Sequence, residues 1–204
     1  MPLPPEAIGL TVVNDGSARN ATEAAFSRLR SLIQRVQIVD YGENRGKGYA
    51  LRQGVSASSA DCYLVTDADF PYTLESMRRV AETALKQGGI AAGNRDTRYY
   101  AHVPFFRRLL SKGLRWMLRH FLRQPISDSQ CGLKAFDAQG KKVFLETGID
   151  RFLFDLEFLM LAHGRVAVQP VPVELREGVV FSKVGKKVLM TEARNFLKLL
   201  FSIR

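Results

Sequence analysis

Between Ile8 and Ala92 short apolar runs alternate with segments of helical spacing, and this alternation constrains the fold more than any other feature. Ile8–Val13 reads as a buried strand that ends at the turn signal Asn14-Asp15-Gly16-Ser17. Asn20 and Glu23 form a capping pair for a helix over Ala21–Arg35, with Phe26, Leu29 and Ile33 on one face. Val36–Val39 predicts a second strand, Lys47–Ser58 a helix and Cys62–Thr66 a third strand stopping at Asp67. Thr73–Gln87 predicts another helix and Gly89–Ala92 a short strand. Strand-helix repetition of this kind predicts an α/β fold, a mostly parallel sheet flanked by helices.

From Pro104 the pattern changes to a long basic helix, a loop around Ser127–Gly132 and a strand near Leu133–Phe136. A helix over Phe154–His163, the strand Ala167–Val173 and an amphipathic helix over Lys186–Ile203 follow. With 204 residues, 46% hydrophobic, and no repeat or linker, the chain is expected to form one domain, 1–204. No stretch approaches the roughly 18 apolar residues of a spanning helix, and Met1-Pro-Leu-Pro-Pro5 does not resemble a signal peptide. Cys62 and Cys131 lack metal-ligand spacing and read as free thiols in a reducing compartment. The net charge of +10 favours an anionic partner. No nucleic-acid motif accompanies it, so nucleic acid is not expected.

Three clusters carry chemistry. Asp67-Ala68-Asp69 follows an apolar strand, placing two carboxylates at its carboxyl end, the edge where open α/β sheets bind ligands. Such a pair can hold Mg²⁺ together with substrate phosphates; a solvated acidic turn or a helix cap would have the same sequence. Asn44-Arg45-Gly46-Lys47-Gly48 has glycines that admit a phosphate at a helix N-terminus and a mobile lysine, though not the spacing of a Walker loop. Asp15, just past its strand, could bond a base or ribose, or belong to a plain turn. If all three loops follow strands of one parallel sheet, they converge on one edge.

The ordered series VVNDGS (12–17), NRGKGYA (44–50), TDADFPY (66–72), GNR (93–95), DSQCGLKAF (128–136), FDLE (154–157), VPVEL (171–175) and FSKV (181–184) resembles family 2 glycosyltransferases of the GT-A fold. The closer similarity is to the polyprenyl-phosphate and dolichyl-phosphate sugar transferases, over nearly the whole chain. This resemblance implies an inverting transferase moving a hexose from UDP-glucose or GDP-mannose to a polyprenyl or dolichyl phosphate. It places Asp15 at the nucleoside and Lys47 near the nucleotide. Asp67 and Asp69 become the pair for Mg²⁺ or Mn²⁺ and the diphosphate, and Arg95, Arg107, Ser111 and Lys183 bind the acceptor phosphate and donor loop. For a sugar-hydroxyl acceptor, the related alternative, Asp128 is the candidate catalytic base. Relatives often carry Gln where Pro71 stands, and they open with a strand and motif that have no counterpart in the thirteen residues before Asn14. A second copy or a partner segment would fill that place, or the domain would be non-catalytic.

At 100° per residue, Arg108, Lys112, Arg115, Arg119 and Arg123 form one stripe and Phe106, Leu110, Leu114, Met117 and Phe121 the opposite one. Such a helix can lie on an anionic membrane or pack its apolar face into a core. The expected location is peripheral, on the cytoplasmic face of a membrane.

Overall fold

The computed structural model describes residues 4–17, 21–95, 128 and 131–179. These fall into two compact units, residues 1–59 with 149–152 and residues 60–148 with 153–204.

In the first unit β1 (Leu10–Asp15) pairs in parallel with β2 (Val36–Tyr41), from Leu10 opposite Val36 to Asp15 opposite Tyr41. They are joined by α1 (Glu23–Leu32) and followed by α2 (Lys47–Ala57). The strand β1 runs two residues beyond the expected end, so Asn14 and Asp15 are its last residues. The start of α1 is set by Thr22, whose Oγ1 accepts the Ala25 N–H at 3.3 Å; Asn20 lies outside the described residues. On α2, Gly54 rides over β1, where an added Cβ would come 2.9 Å from Val13 Cγ2.

The second unit holds β3 (Tyr63–Val65), α3 (Leu74–Gln87), β4 (Ile90–Arg95), β5 (Lys134–Phe136), α4 (Ala138–Leu145), α5 (Phe154–Ala162) and β6 (Val168–Val173). Its sheet order is β3-β5-β4-β6. β4 and β6 are parallel, whereas β5 lies between β3 and β4 and runs antiparallel to both. The expectation that β1, β2 and β3 share one parallel sheet is therefore corrected: among the described residues β1 pairs only with β2, and β3 only with β5.

Alternation along β5 sorts its side chains. Ala135 joins Ala91, Val171 and Val173 in a core with Val80 and Ala84 of α3. Lys134 and Phe136 point the other way; Phe136 stacks on Phe144 (4.9 Å between centroids) and meets Phe158 edge-on at 5.4 Å. The helix α3 is capped by Thr73, which accepts the Ser76 N–H at 3.2 Å, and ends at Gly88 with φ 69°. The helix α4, unexpected from sequence, starts at Asp137, whose Oδ1 accepts the Gln139 and Gly140 N–H groups at 2.9 Å each.

β4 approaches β5 so closely at Gly93 that a Cβ there would lie 2.6 Å from Cys131 Sγ and 2.8 Å from the Leu133 carbonyl oxygen. Backbone cannot yield as a side-chain tip can. Gly93→Ala is expected to lower the unfolding free energy by about 2 kcal/mol, measured from urea unfolding curves of equal slope.

Candidate active site

In the first unit the two glycine-containing motifs form one cradle. The Asp15 carboxylate accepts the Arg45 N–H and the Gly46 N–H, each at 2.8 Å, one on each oxygen. Asn44 Nδ2 donates to the Asp15 carbonyl at 3.0 Å. Asn14 closes its own turn, accepting the Ser17 N–H at 2.9 Å and donating to Asp40 Oδ1 at 2.9 Å. Gly16 (φ 66°) permits this contact, since a Cβ would fall 2.5 Å from the Asn44 nitrogen. Asp15 thus braces the loop that carries Lys47, a role that its place in a turn signal did not reveal.

The helix α2 is less open to an anion than expected. Its Gly48 and Tyr49 N–H groups both donate to the Asp150 carbonyl, at 2.8 and 3.2 Å. Gly46 (φ 113°) admits that carbonyl, which would lie 2.6 Å from an added Cβ. Lys47 is half-buried at the first position of α2. Beside it the Arg45 guanidinium lies 3.9 Å over the Tyr49 ring, which meets Tyr41 edge-on at 5.5 Å. Burial, and then the neighbouring Asp15 charge, push the Tyr41 phenol well above its ordinary pKa. The only sequence signal for this group was two tyrosines flanking NRGKG.

In the second unit Asp67 and Asp69 occupy the turn directly after β3. The Phe70 N–H donates to the Asp67 carbonyl at 3.0 Å, and Phe70 has φ 45°, the one positive value outside glycine among the described residues. Asp67 is half-buried and Asp69 exposed. The turn is clamped by the segment after β6: Arg176 donates to the Asp69 carbonyl at 2.7 Å and from its backbone to the Pro71 carbonyl at 2.9 Å, and Tyr72 bridges Leu175. Two carboxylates on a fixed turn are a hard-oxygen donor set suited to Mg²⁺ or Mn²⁺. Among the described residues no group of three acidic, histidine or cysteine side chains could complete a metal cage. A cation held there would take its remaining ligands from phosphates and water.

At the end of β4, Arg95 and Asp128 are in direct contact. Arg95 donates from Nε to Asp128 Oδ2 at 2.5 Å, from Nη2 to Oδ1 at 2.7 Å and from its backbone to Oδ2 at 3.2 Å. Asp128 is 4% exposed. Beneath the pair, Lys134 has no exposed surface and donates to the Cys131 carbonyl at 2.6 Å and to Asp155 at 2.5 Å. The buried Tyr72 hydroxyl accepts from Gly132 N–H at 3.2 Å and from Cys131 Sγ–H at 3.3 Å. Both cysteines are free thiols. Arg107, Ser111 and Lys183 lie outside the described residues, as does the basic helix. Lys134 was detectable as a charge inside an apolar strand; nothing in the sequence pointed to Arg176.

The family model for Glycosyl transferase family 2 matches residues 4–145. The chain is 32% identical over 165 residues to a dolichyl-phosphate beta-glucosyltransferase of Drosophila melanogaster, covering 75% of this chain and 50% of the relative. It is 29% identical over 203 residues to the Homo sapiens protein of the same name, covering 90% and 63%. It therefore spans half to under two-thirds of the length of these relatives. Among solved structures it is similar to glucosyl-3-phosphoglycerate synthase from Mycobacterium tuberculosis, in complex with Mn²⁺, UDP-Glc and phosphoglyceric acid. That match has a TM-score of 0.63 at 15% identity, covering 95% of this chain and 67% of the other. A mannosyltransferase from Pyrobaculum calidifontis, in complex with GDP-Man and Mn²⁺, matches with TM-score 0.53 at 17% identity, covering 83% and 47%. At these identities the likeness is one of fold.

The brace at Asp15 gives a direct expectation. Asp15→Asn replaces one acceptor oxygen by an NH₂ group facing a backbone N–H. Amide exchange at Arg45 and Gly46 should rise about tenfold or more, equivalent to ~1.4 kcal/mol, as measured by hydrogen-deuterium exchange; unchanged protection would show that the brace is not needed.

Proposed function

The chain belongs to glycosyl transferase family 2 and has the GT-A α/β fold, and from that premise we propose that it transfers a hexose from a nucleotide-diphosphate sugar to a polyprenyl or dolichyl phosphate at a membrane surface. The observation that carries this reading is the turn after β3, where Asp67 and Asp69 stand on a backbone held from two sides. Supporting it are the dolichyl-phosphate beta-glucosyltransferases, which align with up to 90% of the chain. UDP-glucose is the first donor to test, GDP-mannose the second.

Asp67 and Asp69 would hold Mg²⁺ or Mn²⁺, which when bound neutralises charge on the departing diphosphate. Asp15 keeps the loop bearing Lys47 and Arg45 in place for the nucleotide. Arg95, Arg107, Ser111 and Lys183 are assigned to the acceptor phosphate and donor loop. A phosphate monoester has a second pKa of about 6 and is already nucleophilic near neutral pH. Attack therefore requires in-line positioning rather than a base, with inversion at the sugar carbon. Among the described residues no helix is long and apolar enough to cross a membrane. The basic stripe on residues 104–123 is proposed as the contact with anionic lipid on the cytoplasmic face.

The test is transfer of radiolabel from UDP-glucose or GDP-mannose to polyprenyl phosphate. Label in lipid is expected, abolished by EDTA and restored by Mn²⁺ or Mg²⁺. Asp69→Asn should lower the rate by about two orders of magnitude or more, the several kcal/mol of a Lewis-acid contact. A folded chain that labels glycan hydroxyls instead, or labels lipid equally well in EDTA, would overturn the acceptor or the metal assignment respectively.

A further inference from the structure

We propose that Asp128 acts in the reaction through Arg95, as the carboxylate that fixes the guanidinium plane toward the acceptor phosphate, and not as a proton acceptor. The inference rests on the reading of Arg95 as a phosphate ligand. Three hydrogen bonds from Arg95 occupy Asp128: Nε and Nη2 reach separate oxygens at 2.5 and 2.7 Å, and the backbone N–H reaches Oδ2 at 3.2 Å. Asp128 is 4% exposed and both its carboxylate oxygens are taken up by one guanidinium, so neither is presented to a substrate hydroxyl. The fork geometry performs a different task. A guanidinium held along its Nε–Nη2 edge has its plane set, and a set plane is what recognition of a phosphate by parallel N–H bonds requires.

The loop carrying Asp128 is itself fixed from below. The Asp128 carbonyl accepts the Cys131 N–H at 3.5 Å, and the Cys131 carbonyl accepts from Lys134, whose charge is balanced by Asp155 with neither side chain appreciably exposed. Tyr72 receives the Gly132 N–H and the Cys131 thiol, and it lies three residues beyond Asp69. One buried polar network therefore connects the Asp67–Asp69 turn to the Asp128 loop, and through Asp128 to Arg95. Lys134 is a structural cation: it has no exposed surface, and it holds the Cys131 carbonyl beside the Asp128 loop.

The test compares wild type, Asp128→Asn, Asp128→Glu, Arg95→Ala and the Asp128→Asn/Arg95→Ala double variant of the full chain, with UDP-glucose, Mn²⁺ and a short-chain polyprenyl phosphate, each checked for folding by thermal unfolding. A positioning role predicts that Asp128→Asn raises the acceptor KM about tenfold, leaves the donor KM within about twofold and preserves both limbs of the pH–rate profile. It also predicts that the double variant is no worse than Arg95→Ala alone, because the two residues act as a unit. Should Asp128→Asn fail to fold, Asp128→Glu, which keeps the charge one methylene further out, is expected to show the same KM effect at smaller size. A kcat loss of 10²-fold or more at saturating acceptor, with the acidic limb gone and the effects of the two single variants multiplying, would overturn the inference and make Asp128 the base. Failure of the proposed function reads differently: wild type then labels no lipid phosphate, whatever stands at 128, and the positioning role falls with it.

Discussion

A lysine with no exposed surface, Lys134, sits in β5, between β3 and β4. Burying an ammonium costs several kcal/mol unless a counterion and hydrogen bonds replace its water. Here Asp155 of α5 and the Cys131 carbonyl do so. The pair ties α5 to the sheet and holds the loop from which Asp128 reaches Arg95. Apolar packing alone would hold the sheet, through Phe136, Phe144 and Phe158 on one face and Val80, Ala84 and Ala135 on the other. It would not place a carbonyl at a fixed point beneath an arginine.

These carboxylates divide by what they bond. Asp15 is taken up by two backbone N–H groups, Asp128 by Arg95, Asp155 by Lys134 and Asp150 by Arg52. Asp69 stands apart: its carbonyl is held by Arg176, while its side chain is exposed and, among the described residues, no donor reaches it. An acidic side chain on a fixed backbone, reached by no donor among the described residues, is open to an outside cation. That contrast supports the metal assignment more than the Asp-x-Asp spacing does.

Much of the fold was legible because apolar runs and caps are local signals. The bounds of α2, α3 and β6 fall within one residue of expectation, with Thr73 as the visible cap of α3. The helix α4 was missed because Gly140 interrupts its short pattern; that glycine is there to pass Phe136, whose Cβ would lie 2.5 Å from its own. The direction of β5 was not legible, since three residues facing two cores carry no sign of polarity. Nor were the targets of Asp15, Asp128 and Arg176. These are set by contacts spanning 30 or more positions, and spacing along the chain says nothing of which donor an acid will meet. The motifs located the loops; the structure assigned each acid its partner.

In the function proposed here, Asp67 and Asp69 hold a divalent cation against a donor diphosphate. The most direct test is anomalous diffraction from crystals grown with Mn²⁺ and UDP. The expected result is a manganese peak about 2.1 Å from a carboxylate oxygen of Asp69 or Asp67, with the diphosphate completing its shell. An ordered nucleotide with no manganese at either aspartate would contradict it.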